Sequence, residues 1–526
     1  MQMSLLLTQF LDRAVHLYGR KPAIIDEHGK RYTYEEVNGR VNSLSFGLAS
    51  LGVKKGDRVA YLAPNTLEMY EGFYGIFQVG GIMVSLNTRL KPKDYVYILN
   101  HSESKVLFVD HVLLNLIEPV RNQLKTVETI IVHGLPEDKD GLIAYDSWLS
   151  SFPSTDFPRV ELHEDDVSTL LYTSGTTGNP KGVMLTHRNN YLHALSTMHH
   201  LRVNDRDVLM HILPMFHVNG WGSPFYYTAN GATQIMQKAI DPKVILEKVE
   251  KYGVTVMHMA PTVLQSIMDQ YKNVNPKIDQ NVRIVVAGSA PPKAFIRQLE
   301  EEIGWEFYQV YGMTETSPLS LASYISSEDE GASDDEYYEL KVKTGLEMIG
   351  TDVRVVDEFG NDVAKNGKEI GEVIVRGPGV MKGYWKDEAA TKSTIINGWL
   401  HTGDMGTMDE NHRIQIVDRK KDIIISGGEN ISTIEIENVI YDHPAVKEVA
   451  VIAAPHEKWG ETPHAIVVVR DGHEVAGQDI IDFTRERLAH FKCPTIVTFM
   501  EELPKTASGK IMKVKLREFV SPAAKS

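Results

Sequence analysis

Three clusters of polar residues, each directly behind an apolar run, hold most of the chemistry this sequence can do. The densest is Tyr172-Thr-Ser-Gly-Thr-Thr-Gly-Asn-Pro-Lys-Gly182. It packs four hydroxyl side chains (Thr173, Ser174, Thr176, Thr177), the glycines Gly175, Gly178 and Gly182, and Lys181 into one short segment. Glycines let backbone N–H groups approach phosphate oxygens; hydroxyls add donors without bulk, and Lys181 adds positive charge. The order differs from G-x-x-x-x-G-K-[ST], so this is not a Walker A loop. The second cluster is Tyr311-Gly-Met-Thr-Glu-Thr316. A carboxylate there would repel phosphates unless Glu315 held a divalent cation, which takes oxygen ligands and bridges phosphates. The third, Ala287-Gly-Ser-Ala-Pro291, is explained equally well by a plain turn.

Weaker signals follow. His401-Thr-Gly-Asp404 and Ile416-Val-Asp-Arg419 place a carboxylate and a guanidinium that could hold ribose hydroxyls, although spacing alone reads both as surface residues. Lys420-Lys-Asp422 reads as a solvated charge run. Ser426-Gly-Gly-Glu-Asn-Ile-Ser432 suits close backbone approach to a ligand, and Pro504-Lys-Thr-Ala-Ser-Gly-Lys510 a frayed surface loop. Leu213-Pro-Met-Phe-His-Val-Asn-Gly-Trp221 lies in Val208–Gln237, a stretch without formal charge, where His217 by itself reads as a core histidine. His199-His200 and His456-Glu457 read as surface residues; the latter is not H-E-x-x-H, because Gly460 holds the last position.

The elements that must position these residues alternate. RVAYLAPN from Arg58, KVLFVD from Lys105, TIIVHG from Thr129, STLLYTSG from Ser168, VTVMHMAP from Val254, RIVVAGSAP from Arg283 and EFYQVYG from Glu306 each read as a buried strand entering a polar turn. Helical segments lie between them; one has a capping box at Thr33-Tyr-Glu-Glu36, apolar Val37, Val41, Leu44 and Leu48, and a stop at Gly52. This is the α/β pattern of parallel sheets, whose ligands sit at the carboxyl ends of strands. Past Lys341 the runs become shorter and β-rich, and a domain boundary is expected between Asp418 and Asp422, followed by a small α+β domain. Acidic Ser326–Glu336 reads as a solvated loop. No internal repeat is evident.

Composition bounds the answer. The chain has 526 residues, enough for three or four core-forming units, with 24% charged residues and the hydropathy of a soluble globular protein. Net charge is 55 − 70 = −15, which disfavours nucleic acid and anionic membrane as partners. Cys493 is the only cysteine, so an intrachain disulfide and a cysteine zinc site are excluded and a reducing compartment is expected. The start lacks a basic n-region and reads as an amphipathic helix rather than a signal peptide; the final Ala-Ala-Lys-Ser is not a Ser-Lys-Leu signal. Pro214, Pro224 and three glycines argue that Val208–Gln237 is a buried pocket wall, not a membrane span.

In content and order these motifs resemble the adenylate-forming superfamily of acyl-CoA synthetases, luciferases and peptide-synthetase adenylation domains, over nearly the whole chain. The sequence is most similar to medium- to long-chain fatty acyl-CoA synthetases. The resemblance implies a large N-terminal domain (residues 1–419) with doubly wound sheets and a β-rich subdomain. A small mobile C-terminal domain (420–526), hinged near Lys421, follows. It implies ATP, Mg²⁺ and coenzyme A as cofactors, Glu315 as magnesium ligand, and Lys510, His217 and Thr173 as catalytic. Thr173, Ser174, Gly175, Thr176, Thr177, Gly178, Lys181, Gly288, Ser289, Ala290, Tyr311, Gly312, Met313, Thr314, Asp404, Arg419 and Lys510 would surround the nucleotide. His217, Trp221 and Gly288 would border the acyl group, Trp221 matching a gating aromatic of long-chain members. Lys421, Ser426, Gly427, Gly428 and Glu429 would line the coenzyme A path. No acid occurs in Val208–Gln237 to pair a substrate ammonium, so an uncharged acyl chain is expected over an amino acid. Short-chain, aryl or methylthiopropionate CoA ligases, a carrier-protein-loading enzyme and a silent scaffold are the competing readings. A cytoplasmic location and a homodimer are further expectations.

Overall fold

Two large sheets face one another across a shared core, in a computed structural model that describes residues 3–173, 179–288, 291–426, 429–456, 458–505 and 511–520. One has nine strands in the order Leu346–Glu347, Leu319–Ala322, Glu306–Gly312, Arg283–Val286, Val256–Met259, Val208–His211, Thr233–Met236, Pro22–Ile25, Arg31–Thr33. The other has eight: Gly383–Tyr384, Lys181–Thr186, Val167–Thr173, Ile82–Ser85, Arg58–Leu62, Ser104–Asp110, Thr129–His133, Ile143–Ala144. Most of their strand pairs are parallel, as in Val256–Met259 with Arg283–Val286 and Arg58–Leu62 with Ser104–Asp110, whereas Glu306–Gly312 with Leu319–Ala322 and Val167–Thr173 with Lys181–Thr186 are antiparallel. Each expected strand is present, and the capping box at Thr33 starts the helix Tyr34–Ser50.

The space between the sheets is filled by helices that are apolar nearly all round, which is how a helix buried on every side must read. Leu67–Gln78 buries every residue except Glu68, and Ser223–Ala229 buries all of its residues. The uncharged stretch is thus strand, turn, helix and strand inside the core. No described helix is long and apolar enough to cross a membrane.

A five-stranded antiparallel sheet follows: Asp352–Val356, Gly371–Arg376, Trp399–Met408 and Ile395–Ile396, with Ile414–Arg419 paired to Trp399–Met408. The last sheet holds Glu429–Ile431, Ile424–Ser426, Gly460–Val469, Val446–His456 and Ile496–Phe499, under the helices Thr433–Tyr441 and Gly477–Arg485.

Two expectations are corrected. Ser326–Glu336 is not simply a solvated loop: Ser333 caps the helix Asp334–Val342, and Asp329 forms an ion pair with the buried Arg413. His200 is half-buried rather than superficial; its Nε2 accepts the Ile349 N–H (2.9 Å), and burial pulls its pKa down to about 4.

Candidate active site

The hydroxyl-rich segment joins two antiparallel strands. Val167–Thr173 pairs with Lys181–Thr186, placing Thr173 opposite Lys181 and Tyr172 opposite Gly182. Ser174, Gly175, Thr176, Thr177 and Gly178 lie outside the described residues. The base of this hairpin is braced from two sides. His101 Nδ1 lies 2.8 Å from the Tyr172 hydroxyl, and Trp385 donates its Nε1–H to the His101 carbonyl (3.1 Å) and its backbone N–H to Gly182 (2.7 Å).

Tyr311 and Gly312 end the strand Glu306–Gly312, and Thr314–Thr316 forms a tight 3₁₀ turn. Gly312 is required by close approach: a Cβ there would sit 1.8 Å from the Pro318 carbonyl oxygen. The turn carries Glu315 inward. Its side chain is buried, its Oε1 accepts the Tyr384 hydroxyl (2.9 Å), and burial raises its pKa above the usual carboxylate range. Tyr384 also lies under Lys181, whose Nζ is 4.9 Å from the ring centroid. Met313 and Thr314 are half-buried on the same turn.

The third contributor is the antiparallel pair Trp399–Met408 and Ile414–Arg419, in which Asp404 faces Arg419. Asp404 Oδ2 accepts the Tyr311 hydroxyl (2.7 Å), and Arg419 Nε lies 3.6 Å from Oδ1. Tyr311 therefore joins the Asp404–Arg419 pair to the turn bearing Glu315. Burial and the adjoining Asp404 carboxylate both drive the Tyr311 phenol pKa upward, so it stays a neutral donor.

The apolar wall starts from the same strand ends. Asn65 at the end of Arg58–Leu62 donates to the carbonyls of His211 (2.7 Å) and Leu213 (3.1 Å) and accepts the Met215 N–H (2.7 Å), which fixes the run into His217. Val218, Asn219, Gly220, Trp221 and Gly222 then all have φ between 47° and 77°, a left-handed turn. Each non-glycine there costs about 1–2 kcal/mol, so the surroundings must hold it. Asn219 supplies part of that hold, donating to Thr169 Oγ1 (3.2 Å). The turn presents Trp221, only 6% exposed, against His258, with ring centroids 5.9 Å apart and nearly parallel. Tyr226 and Tyr227 pack against the same imidazole. Burial lowers the pKa of His258 and of nearby His193 to about 3, so both are neutral. Gly288, at φ 109°, follows the strand Arg283–Val286, which is paired with Glu306–Gly312. Ser289 and Ala290 lie outside the described residues.

Sequence reasoning missed Asn65, His101, Tyr384, Trp385 and His258. All lie far along the chain from the motifs they touch, and only Gly383-Tyr-Trp385, an aromatic pair behind a glycine, offered a local signal.

Beyond Arg419 the chain turns tightly, with Asp422 and Ile423 donating to the Arg419 carbonyl (2.8 and 3.0 Å) and Lys421 exposed. Asp418 accepts the backbone N–H (2.8 Å) and hydroxyl of Thr433, and Ser432 donates to the Val417 carbonyl (2.5 Å). Ser426 pairs with Gly460 and with Glu429; Gly427 and Gly428 lie outside the described residues. Lys510 lies outside them as well; Lys505 and Ile511, on either side of residues 506–510, bridge to one another. Among the described residues no group of three or more His, Cys, Asp or Glu could hold a metal ion by itself. Glu315 could at most share a cation with other oxygen donors, which suits one that arrives with a polyphosphate.

The chain is similar to known proteins over nearly its whole length. A long-chain-fatty-acid–CoA ligase of Thermus thermophilus is 39% identical, covering 97% of this chain and 95% of the relative. A peroxisomal butyrate–CoA ligase of Arabidopsis thaliana is 36% identical, covering 97% and 92%. The crystal structure of the anthranilate CoA ligase AuaEII in complex with anthranoyl-AMP superposes with a TM-score of 0.91 at 27% identity, covering 100% of this chain and 99% of that one. Residues 11–385 match the AMP-binding enzyme family and residues 435–510 the AMP-binding enzyme C-terminal domain, so the chain belongs to the AMP-binding enzyme family.

Proposed function

We propose that this enzyme joins a medium- to long-chain fatty acid to coenzyme A through an acyl-adenylate, releasing AMP and pyrophosphate. One observation carries the reading. The Thr173–Lys181 hairpin end, the Glu315 turn and the Asp404–Arg419 pair are cross-linked by the tyrosines Tyr384 and Tyr311, while Trp221 lies in a neighbouring buried stretch without formal charge. In the first step a carboxylate oxygen attacks the α-phosphorus of ATP and the Pα–O bond to pyrophosphate breaks. In the second, the coenzyme A sulfur attacks the acyl carbon, the C–O bond to AMP breaks, and the thiol proton leaves to solvent.

Asp404 and Arg419 would hold the ribose hydroxyls, with Tyr311 packed on the adenine. Thr173, Ser174, Thr176, Thr177, Lys181 and Thr314 would donate to the phosphates, with Gly175, Gly178, Gly312 and Met313 alongside. Lys510 would sit between carboxylate and α-phosphate, two anions that repel, and stabilise the charge of the transition state. A magnesium ion held by Glu315 would spread the charge of the leaving pyrophosphate. His217 would meet the acyl carboxylate, with Gly288 and Trp221 along the chain. Lys510 must leave before the thiol enters, so the reading includes rotation of residues 420–526 about Lys421, exchanging Lys510 for the Ser426–Glu429 loop. The cytoplasm and a homodimer belong to the same reading, resting on the lone cysteine and the family resemblance.

A compact acid is the second reading. Trp221 stacked on His258 with Tyr226 and Tyr227 behind it leaves the long-chain reading dependent on movement of the Trp221 ring. The test is AMP release from ATP and Mg²⁺ with straight-chain acids from C2 to C16 plus aryl and methylthio acids, each with and without coenzyme A. A coenzyme A-dependent optimum at medium or long chains is expected. An optimum at short or aryl acids keeps the reaction and replaces the substrate; no AMP from any acid overturns both.

A further inference from the structure

We propose that Tyr384 is a positioning residue for the nucleotide end of the site: its hydroxyl aims the Glu315 carboxylate at the divalent cation accompanying ATP, and its ring seats Lys181. The proposal rests on the reading of Glu315 as a cation ligand.

Tyr384 stands where two pieces of the site are sewn together. The short strand Gly383–Tyr384 pairs with Lys181–Thr186, matching Gly383 to Met184 and Tyr384 to Val183. On its other side Met381 donates its N–H to the backbone carbonyl of Glu315 (2.8 Å). Lys382 and Trp385 donate to Met184 (3.0 Å) and Gly182 (2.7 Å), so the segment cannot slide along the hairpin. The Tyr384 backbone N–H is itself taken by Thr391 Oγ1 (2.9 Å). The phenol thus hangs from a fixed backbone, 7% exposed, with its oxygen 2.9 Å from Glu315 Oε1.

The chemistry of the partner matters. A buried carboxylate needs a hydrogen bond, but a lysine or arginine would neutralise it and compete with a cation. A phenol orients the carboxylate and leaves its charge in place. The same ring keeps Lys181 apart from Glu315: the ammonium lies over the aromatic face, and among the described residues no ion pair joins the two. Lys181 keeps its charge for phosphates, held by a cation–π contact.

The test is isothermal calorimetry of ATP with Mg²⁺ and of ATP with EDTA, on the full chain and on Tyr384→Phe, Tyr384→Leu and Glu315→Gln. The ratio of the two affinities isolates the cation's contribution within each protein, so a change in overall stability does not disguise it. Tyr384→Phe is expected to reduce that ratio about 3- to 10-fold, the range of one lost hydrogen bond, and to leave metal-free ATP binding unchanged. Tyr384→Leu should lower metal-free ATP affinity as well, because Lys181 loses its platform. An unchanged ratio in Tyr384→Phe beside a reduced one in Glu315→Gln overturns the role of Tyr384 alone. An unchanged ratio in Glu315→Gln overturns the reading of Glu315 on which it rests.

Discussion

The two ends of the site are built on opposite principles. At the end proposed to hold the nucleotide, charged and hydroxyl side chains from three separate strand pairs come together, and the two carboxylates are each oriented by a neutral phenol, Tyr311 on Asp404 and Tyr384 on Glu315. At the end proposed to hold the acyl group, Val208–Gln237 carries no formal charge: a left-handed turn offers Trp221 to an imidazole kept neutral by burial, with two tyrosines behind it. Recognition by direction and charge leaves dense local motifs in the chain. Recognition by shape leaves only a lack of charge, so the reaction is far better specified by motif than the substrate.

That contrast can be broken or sharpened by experiment. The largest effect belongs to the charged end. Lys510→Ala should slow adenylation about 100- to 1,000-fold, as loss of a transition-state electrostatic donor does, and change thioester formation from supplied acyl-AMP by no more than a few-fold. Equal loss in both half-reactions would remove Lys510 from the first step. Next, Asp404→Asn should raise the KM for ATP about 10-fold or more without altering the KM for the acid, since charge-assisted hydrogen bonds are the strong ones. A shift in the acid's KM instead would show that the two ends are not separate.

At the acyl end, Trp221→Ala should move the chain-length optimum upward by several carbons, with about a 10-fold change in the ratio of kcat/KM values for long and short acids. No change would mean that the ring is core packing and not a wall of the acyl site.

The smallest effect concerns protons. His187 and His211, with pKa lowered to about 4, and His193 and His258, lowered to about 3, bind protons more readily unfolded than folded. Stability is therefore fully present above the unfolded pKa of about 6.5 and is lost as pH falls. Each should cost about 0.7 kcal/mol between pH 7 and pH 6, read from urea midpoints. His193→Gln should flatten the slope by one histidine's share; an unaltered slope would mean that His193 is protonated in the folded protein.

Much of the framework was legible because it obeys local rules. Thr33 and Glu36 specify a helix start by their own side chains, and the run from Arg283 is apolar enough to be only a strand buried on both faces. Ser326–Glu336 was misread because its charge pattern ignored Ser333, whose side chain caps a helix. Asp404 and Arg419 look like surface residues in one dimension. Their pairing follows from antiparallel register, which brings residues fifteen apart face to face.

Alone, the sequence determined which groups are available and in what order: a donor-rich loop behind a strand, a carboxylate on a tight turn, an uncharged wall, and no second cysteine. Those are properties of composition and short-range geometry, and they follow from residues that are neighbours in the chain. Only the tertiary structure decided that Tyr384 reaches Glu315, that Tyr311 reaches Asp404, and that Trp221 closes on His258. These contacts join residues some 40 to 90 positions apart, and pairings at that distance are set by how the sheets stack, which no local pattern encodes.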